Sequence, residues 1–237
     1  MVFDRDTFYN SEQVLARLRQ ERIDFVVLAG RPSAGKTAMA LQMAVHMGRH
    51  DKVGFYSLET SPAKLTNRII ANRAIVDFGR INRREMTQEE WERVVRLKGE
   101  IMESDVELIP ASGWSVQDIL STALQRRHKI VFIDYLQQLT GRGKDRFEQV
   151  TRISLDLHAM AQTHGILVVA LSQLNRASTA RPDAAPTLTD LRESGQIEQD
   201  ADAVLALYIN EEENAPPKER CLQVLKNKDG RLGKVRL

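Results

Sequence analysis

Gly30-Arg31-Pro32-Ser33-Ala34-Gly35-Lys36-Thr37 stands between an apolar run, DFVVLA (Asp24–Ala29), and a helix-forming run, AMALQMA (Ala38–Ala44). The octet matches G-x-x-x-x-G-K-[ST] in the strand–loop–helix setting that gives the pattern its meaning. Gly30 and Gly35 permit a tight backbone path that turns successive N–H groups, with the positive end of the following helix, toward phosphate oxygens. Arg31, Pro32, Ser33 and Ala34 complete the loop and Ala38 adds a donor in the first helical turn. Lys36 is expected to reach the β- and γ-phosphates of a nucleoside triphosphate, and Thr37 to ligate Mg²⁺.

Outward from this loop, short β-branched runs alternate with stretches of helical periodicity, the pattern of a parallel sheet with crossover helices. Buried strands are predicted at Phe25 to Ala29, Val53 to Leu58, Val106 to Ile109, Ile130 to Ile133, Ile166 to Leu171 and Ala203 to Leu207. A closing hairpin is predicted between Cys221 to Leu225 and Lys234 to Leu237, turning at Asp229 and Gly230. Helices are expected at about Thr37 to Met47, Pro62 to Asp77, Thr87 to Glu103, Val116 to Arg127 and Arg146 to His164. Residues 1–24 read as a short helical segment, with Val14, Leu15 and Leu18 on one face and Ser11 as N-cap. Residues 25–237 read as one α/β domain.

The rest of the phosphate site lies at other strand ends. Asp134 closes the apolar strand KIVFID at the edge facing the same crevice, the place of the acid that completes a magnesium shell. Glu59 ends VGFYSLE; if that strand neighbours the one ending in Asp134, its carboxylate can orient or deprotonate an attacking water. Gln173 lies just past ILVVALS, where an amide can sense a γ-phosphate.

Composition narrows the remaining possibilities. Of 237 residues, 42% are hydrophobic and 28% charged, with 13 Gly and 7 Pro, which excludes disordered, collagen-like and low-complexity chains. A net charge of +2 is too small for purely electrostatic nucleic-acid binding, so such contacts must come from local clusters. One cysteine, Cys221, and no Cys/His cluster at zinc spacing point to a reducing cytoplasm without structural metal. Cys221 is expected in strand core and Trp91 as an amphipathic packing residue; Trp114 and His46, His50, His128, His158 and His164 are assigned no chemistry. No apolar run approaches a membrane span, and MVFDRD is not a signal peptide.

Taken in order, GRPSAGKT, SLET, IDYLQQL, ALSQLNR, TDLRESGQIEQDADAV and LKNKDGRLG resemble the motifs of DnaB-type replicative helicases, in their RecA-like C-terminal motor domain. The similarity covers Phe25 to Leu237, and LRESGQIEQDAD with SQLNR is more specific than the phosphate loop. The resemblance implies a RecA-like P-loop NTPase, mainly a parallel twisted sheet flanked by helices with a C-terminal antiparallel hairpin. It implies a hexameric ring that hydrolyses ATP at subunit interfaces and moves along single-stranded DNA to unwind duplex, with a primase or helicase loader as partner. Lys36 and Thr37 look like the phosphate and Mg²⁺ ligands, Glu59 like the catalytic base, Asp134 like the Walker B acid and Gln173 like the sensor. Lys226 and Lys228 stand where the family donates a basic pair across the interface to the neighbour's γ-phosphate.

Two departures qualify it. Position 228 carries lysine where the family pattern usually has arginine, whose planar fork binds phosphate bidentately, so slower or less tightly coupled hydrolysis is expected. The family's helical N-terminal domain has only the segment Ser11 to Arg22 to answer it, so the chain is expected to be a fragment or a compact relative that relies on another protein for loading.

DNA contacts are expected from TGRGKDRFEQ after IDYLQQL, whose Arg142, Lys144 and Arg146, multiplied around a ring, offer sequence-independent phosphate contacts. Arg176, in the loop after the sensor strand, is expected near DNA or a subunit boundary, and Arg192 and Glu193 near the interface. The competing functions are an ATP-dependent DNA-binding or loading ATPase without unwinding activity, and a RecA-like regulatory ATPase or kinase without nucleic acid.

Overall fold

The computed structural model describes residues 23–174, 185–191, 195–209 and 219–237; the predicted segment Ser11 to Arg22, Arg176, Arg192 and Glu193 lie outside them. Strand β1 (Phe25–Gly30) is buried along its whole length and hydrogen-bonded on both sides to parallel neighbours, which is why its sequence reads as a continuous apolar run. The others are β2 (Val53–Ser57), β3 (Val106–Pro110), β4 (Ile130–Asp134), β5 (Leu167–Gln173), β6 (Ala203–Ile209), β7 (Arg220–Asn227) and β8 (Gly233–Arg236). In the sheet they run β3-β2-β4-β5-β1-β6-β7-β8, parallel from β3 to β6, with β7 and β8 antiparallel. The strand that leads into the phosphate loop is thus separated from the Asp134 strand by β5.

Side-chain alternation divides the core in two. Phe25, Val27 and Ala29 point to the face covered by α5 (Val116–Arg126) and α6 (Arg146–His164), together with Ile119, Ile153 and Leu157. Val26 and Leu28 point to the opposite face, covered by α1 (Lys36–Met47) and α2 (Pro62–Ala74), with Leu41, Ala44, Leu65 and Ile69. Helix α6 is set at both ends by local chemistry: the Asp145 side chain accepts from the Glu148 N–H, and Gly165 takes the left-handed conformation that ends it.

Two expectations are corrected. The helix predicted from Pro62 to Asp77 stops at Ala74, because Ile75 adopts a left-handed φ of 52° and Asp77 caps a separate helix, α3 (Phe78–Arg83). Trp91, on α4 (Gln88–Met102), is 51% exposed rather than packed; it is Glu90 that turns inward, bonded to Arg80 at 2.9 Å.

At the edge where β2, β3 and β4 begin, Glu107 accepts from Lys52 Nζ at 3.0 Å and Arg126 Nη1 at 2.6 Å. Burial pushes its carboxyl up, but those two hydrogen bonds and the nearby His128 outweigh it and hold it down at about 2. The unfolded value is ~4.3, so this contribution to stability is complete above that pH and is lost as pH falls toward 2. Urea midpoints measured between pH 6 and 3 should decline toward acid, and Glu107→Gln should flatten that decline; an unchanged slope would remove Glu107 as its source.

Candidate nucleotide site

Four strand ends meet at one edge of the sheet. Gly30 of β1 is in register with Gln173 of β5, and Asp134 of β4 with Ser57 of β2. Glu59, two residues beyond Ser57 and exposed, is therefore carried to the Asp134 side, since β2 and β4 are neighbours. Leu58 N–H donates to the Asp134 carbonyl at 2.9 Å, which fixes that join. The Asp134 and Glu59 side chains are close enough for the Glu59 charge to act on Asp134.

The loop from Gly30 to Thr37 has the expected backbone. Gly35 sits at φ 102° as the N-cap of α1, and Ser33 takes a left-handed φ of 64°. Gly30 is required for a different reason from the one read in the sequence: it lies within β1, and a methyl group there would meet the Leu207 carbonyl of β6 at 2.7 Å. No side chain caps α1 and its first turn holds no acid, so its N–H groups and the positive end of its dipole face the loop. Lys36 Nζ donates to the Gly30 and Arg31 carbonyls at 2.8 and 3.0 Å, inside the cradle.

Electrostatics tie the loop to Asp134. Burial raises the Asp134 pKa; the Thr37 hydroxyl hydrogen bond and the charges of Lys36 and Arg68 oppose this, while Glu59 adds to it. Burial likewise lowers Lys36, against the attraction of Asp134. A hydroxyl and a carboxylate held together beside a phosphate cradle are the donors a magnesium ion takes alongside phosphate oxygens, so Thr37 and Asp134 fit Mg²⁺.

Two residues here were missed in the sequence. Arg68, on α2, holds its guanidinium 5.8 Å from the centre of the Phe78 ring, and its positive charge favours the Asp134 carboxylate. Gln137, in the 3-10 turn after β4 (Leu136–Gln138), donates to Ser172 Oγ at 2.9 Å and accepts from the Gln173 N–H at 3.3 Å. Its carbonyl accepts from Arg146 Nη2. Gln137 thus connects the Gln173 end of β5 to the start of α6. Nothing local in IDYLQQL sets Gln137 apart from Gln138; its burial and its partners on β5 appear only in the fold.

Arg142 and Lys144 are exposed on the loop that joins this turn to α6, and Arg146 is the first residue of the helix. The loop lies close on α6: a methyl group on Gly143 would meet the Gln149 N at 2.6 Å, and Lys144 N–H donates to Glu148 Oε2 at 2.9 Å.

Lys226 and Lys228 lie at the opposite edge of the sheet. Lys228 N–H donates to the Asp202 carbonyl at 2.9 Å, and Asp202 N–H to the Phe25 carbonyl at 2.9 Å, placing Lys228 level with the first residue of β1. Five residues of strand separate that level from Gly30, about 16 Å. Lys228 Nζ pairs with the buried Asp202 at 3.3 Å while more than half exposed, and Lys226 Nζ donates to the Glu198 and Gln199 carbonyls at 2.6 and 3.0 Å.

A mostly parallel sheet with a phosphate loop after β1, an acid ending β4 and a glutamine ending the strand between them defines a P-loop NTPase of the RecA-like class. The model of the DnaB-like helicase C terminal domain matches residues 11–237, and the chain belongs to that family. The probable plasmid replicative DNA helicase of Chlamydia trachomatis is 36% identical over 214 residues, 87% of this chain and 47% of that protein. The replicative DNA helicase DnaB of Geobacillus stearothermophilus is 31% identical over 229 residues, 92% of this chain and 50% of that protein. The chain therefore spans about half the length of these relatives. Among solved structures, a DnaB-like replicative helicase, described with its interactions with primase, aligns with a TM-score of 0.85 and 37% identity, over 91% of this chain and 55% of that one. A second solved structure, described as an ATPase domain, gives the same TM-score and identity over 91% of this chain and 81% of that one.

Proposed function

We propose that this chain is the motor unit of a replicative-type DNA helicase, which hydrolyses ATP at subunit interfaces of a hexameric ring and converts it to movement along single-stranded DNA. The observation that carries this is the opposed placement of the two basic elements. The phosphate loop is at one edge of the sheet and Lys228 is at the other, farther away than a lysine's four-carbon stem can reach. If Lys228 meets a triphosphate, that triphosphate belongs to a neighbouring copy.

In this reading residues 25–237 form the ATPase domain and residues 1–24 a segment joined to it. Gly30 to Ala38 cradle the phosphates through backbone N–H groups, and Lys36 turns from the loop carbonyls to the β- and γ-phosphates. Thr37 and Asp134 would hold Mg²⁺, which would supply neutralising charge to the phosphates. Glu59 accepts a proton from the water that attacks the γ-phosphorus as the bond to the β–γ bridging oxygen breaks, leaving ADP and phosphate. Lys228 of the neighbour, with Lys226 beside it, stabilises the charge that develops on the transferred phosphoryl group. Gln173 senses whether that group is present, and Gln137 carries its position to α6, where Arg142, Lys144 and Arg146 face the DNA strand. Arg176 is assigned to the same surface. A primase or a loader is the expected protein partner, and the cytoplasm the expected setting.

Lysine at position 228 favours a second reading, an ATP-dependent loading ATPase that assembles on DNA without unwinding it. Strand displacement on a forked duplex, with ATPase rate and oligomer mass read on the same sample, separates the two. The motor reading expects hydrolysis stimulated by single-stranded DNA and displacement by a ring-sized species. Stimulated hydrolysis without displacement would favour the loader.

A further inference from the structure

We propose that Arg220 is a nucleotide-binding residue that acts within its own subunit and holds the nucleoside half of the bound triphosphate. The proposal rests on the nucleotide-site reading above. Glu59, Asp134 and Gln173, the groups assigned to the γ-phosphate, end β2, β4 and β5, all on one side of β1. A triphosphate is a linear chain, and its β-phosphate is centred on the loop that follows β1. The α-phosphate, sugar and base must then extend toward the other side of β1, over β6 and β7.

Arg220 stands there. It opens β7 opposite Ile209, the last residue of β6, at the same edge of the sheet as the phosphate loop. Its side chain lies against the loop: a methyl group placed on Gly35 would sit 3.7 Å from Arg220 Nε and 3.8 Å from Leu207 Cδ2. Its backbone is fixed by β6 and by Leu237, whose N–H donates to the Arg220 carbonyl at 2.8 Å. The residue is exposed, and among the described residues no carboxylate pairs with its guanidinium. A strand-anchored arginine beside the cradle, on the side away from the γ-phosphate groups, is suited to the sugar through its N–H donors or to a base through its plane. Lys228, at the far edge, is unsuited to either within one subunit.

Calorimetric titration of the full chain with ADP and, separately, with inorganic tripolyphosphate tests this. Arg220→Ala should weaken ADP binding by about tenfold, leave tripolyphosphate binding unchanged, and raise the KM for ATP with kcat retained. Equal ADP affinity in the variant would overturn the proposal. So would a matching loss for both ligands, which would mark Arg220 as a prop for the loop and not a nucleoside contact. Tripolyphosphate binding without ADP binding in the unaltered chain would overturn Arg220 alone; failure to bind either ligand would remove the nucleotide site itself and the proposal with it.

Discussion

Lys36→Ala should lower ATP hydrolysis by about 10³-fold and weaken nucleotide binding with it, because Lys36 is the cation placed inside the phosphate cradle. Its half-buried ammonium cannot be replaced by solvent, and the backbone N–H groups that remain are neutral donors. Glu59→Gln provides the contrast. An amide of the same shape keeps the cradle and the Thr37–Asp134 contact but cannot take a proton from water. Turnover should therefore fall by roughly 10²- to 10³-fold while ADP affinity stays within about twofold. Steady-state ATPase rates and ADP titrations on the two variants check the pair. Parallel losses of binding in both would mean that Glu59 supports the loop and has no part in the chemistry.

Lys228→Ala should lower DNA-stimulated hydrolysis by about 10²-fold, less than the loss expected for an arginine finger because an ammonium offers one point charge. ADP affinity in the isolated subunit should be unaffected, since Lys228 lies at the other edge of the sheet from the subunit's own phosphate loop. The variant also leaves Asp202 without its ammonium partner. That carboxylate still accepts the Asp24 and Phe25 N–H groups at 3.0 and 3.1 Å, so the start of β1 should stay in place and the thermal midpoint should move little. Lys228→Arg should hydrolyse faster than the unaltered chain if a planar fork improves the contact. A rate unchanged by either substitution would mean that Lys228 serves only to pair with Asp202.

What the sequence made legible follows from how buried parallel strands are written. Strands covered on both faces read as unbroken apolar runs, so β1, β2, β4 and β6 were located to within two residues, and α6, marked by Asp145 before it and Gly165 after it, on its observed bounds. The candidate site residues were legible by position for the same reason, since they sit at the ends of those runs: Asp134 after KIVFI, Glu59 after VGFYSL, Gln173 after ILVVALS. Strand order was not legible. Nothing local says that β5 inserts between β1 and β4, and that insertion sets Gln173 in register with Gly30. The break at Ile75 also escaped, because a β-branched residue gives no sign that it will take a left-handed backbone, and Asp77 reads equally well as helix end or cap. Trp91 misled because period alone cannot decide which face of a charged helix turns inward when a partly buried ion pair competes with an aromatic ring. Arg68, Gln137 and Arg220 depend on contacts between distant segments, which only the assembled sheet brings together.

The most direct measurement mixes two inactive proteins. Lys36→Ala subunits lack a working phosphate loop but keep Lys228, and Lys228→Ala subunits keep the loop but lack the lysine. Co-assembled in equal amounts, they should recover ATPase activity, because about one interface in four then joins an intact loop to an intact lysine. Mixed oligomers, verified by distinct tags, that stay as inactive as either parent would contradict a site completed between subunits.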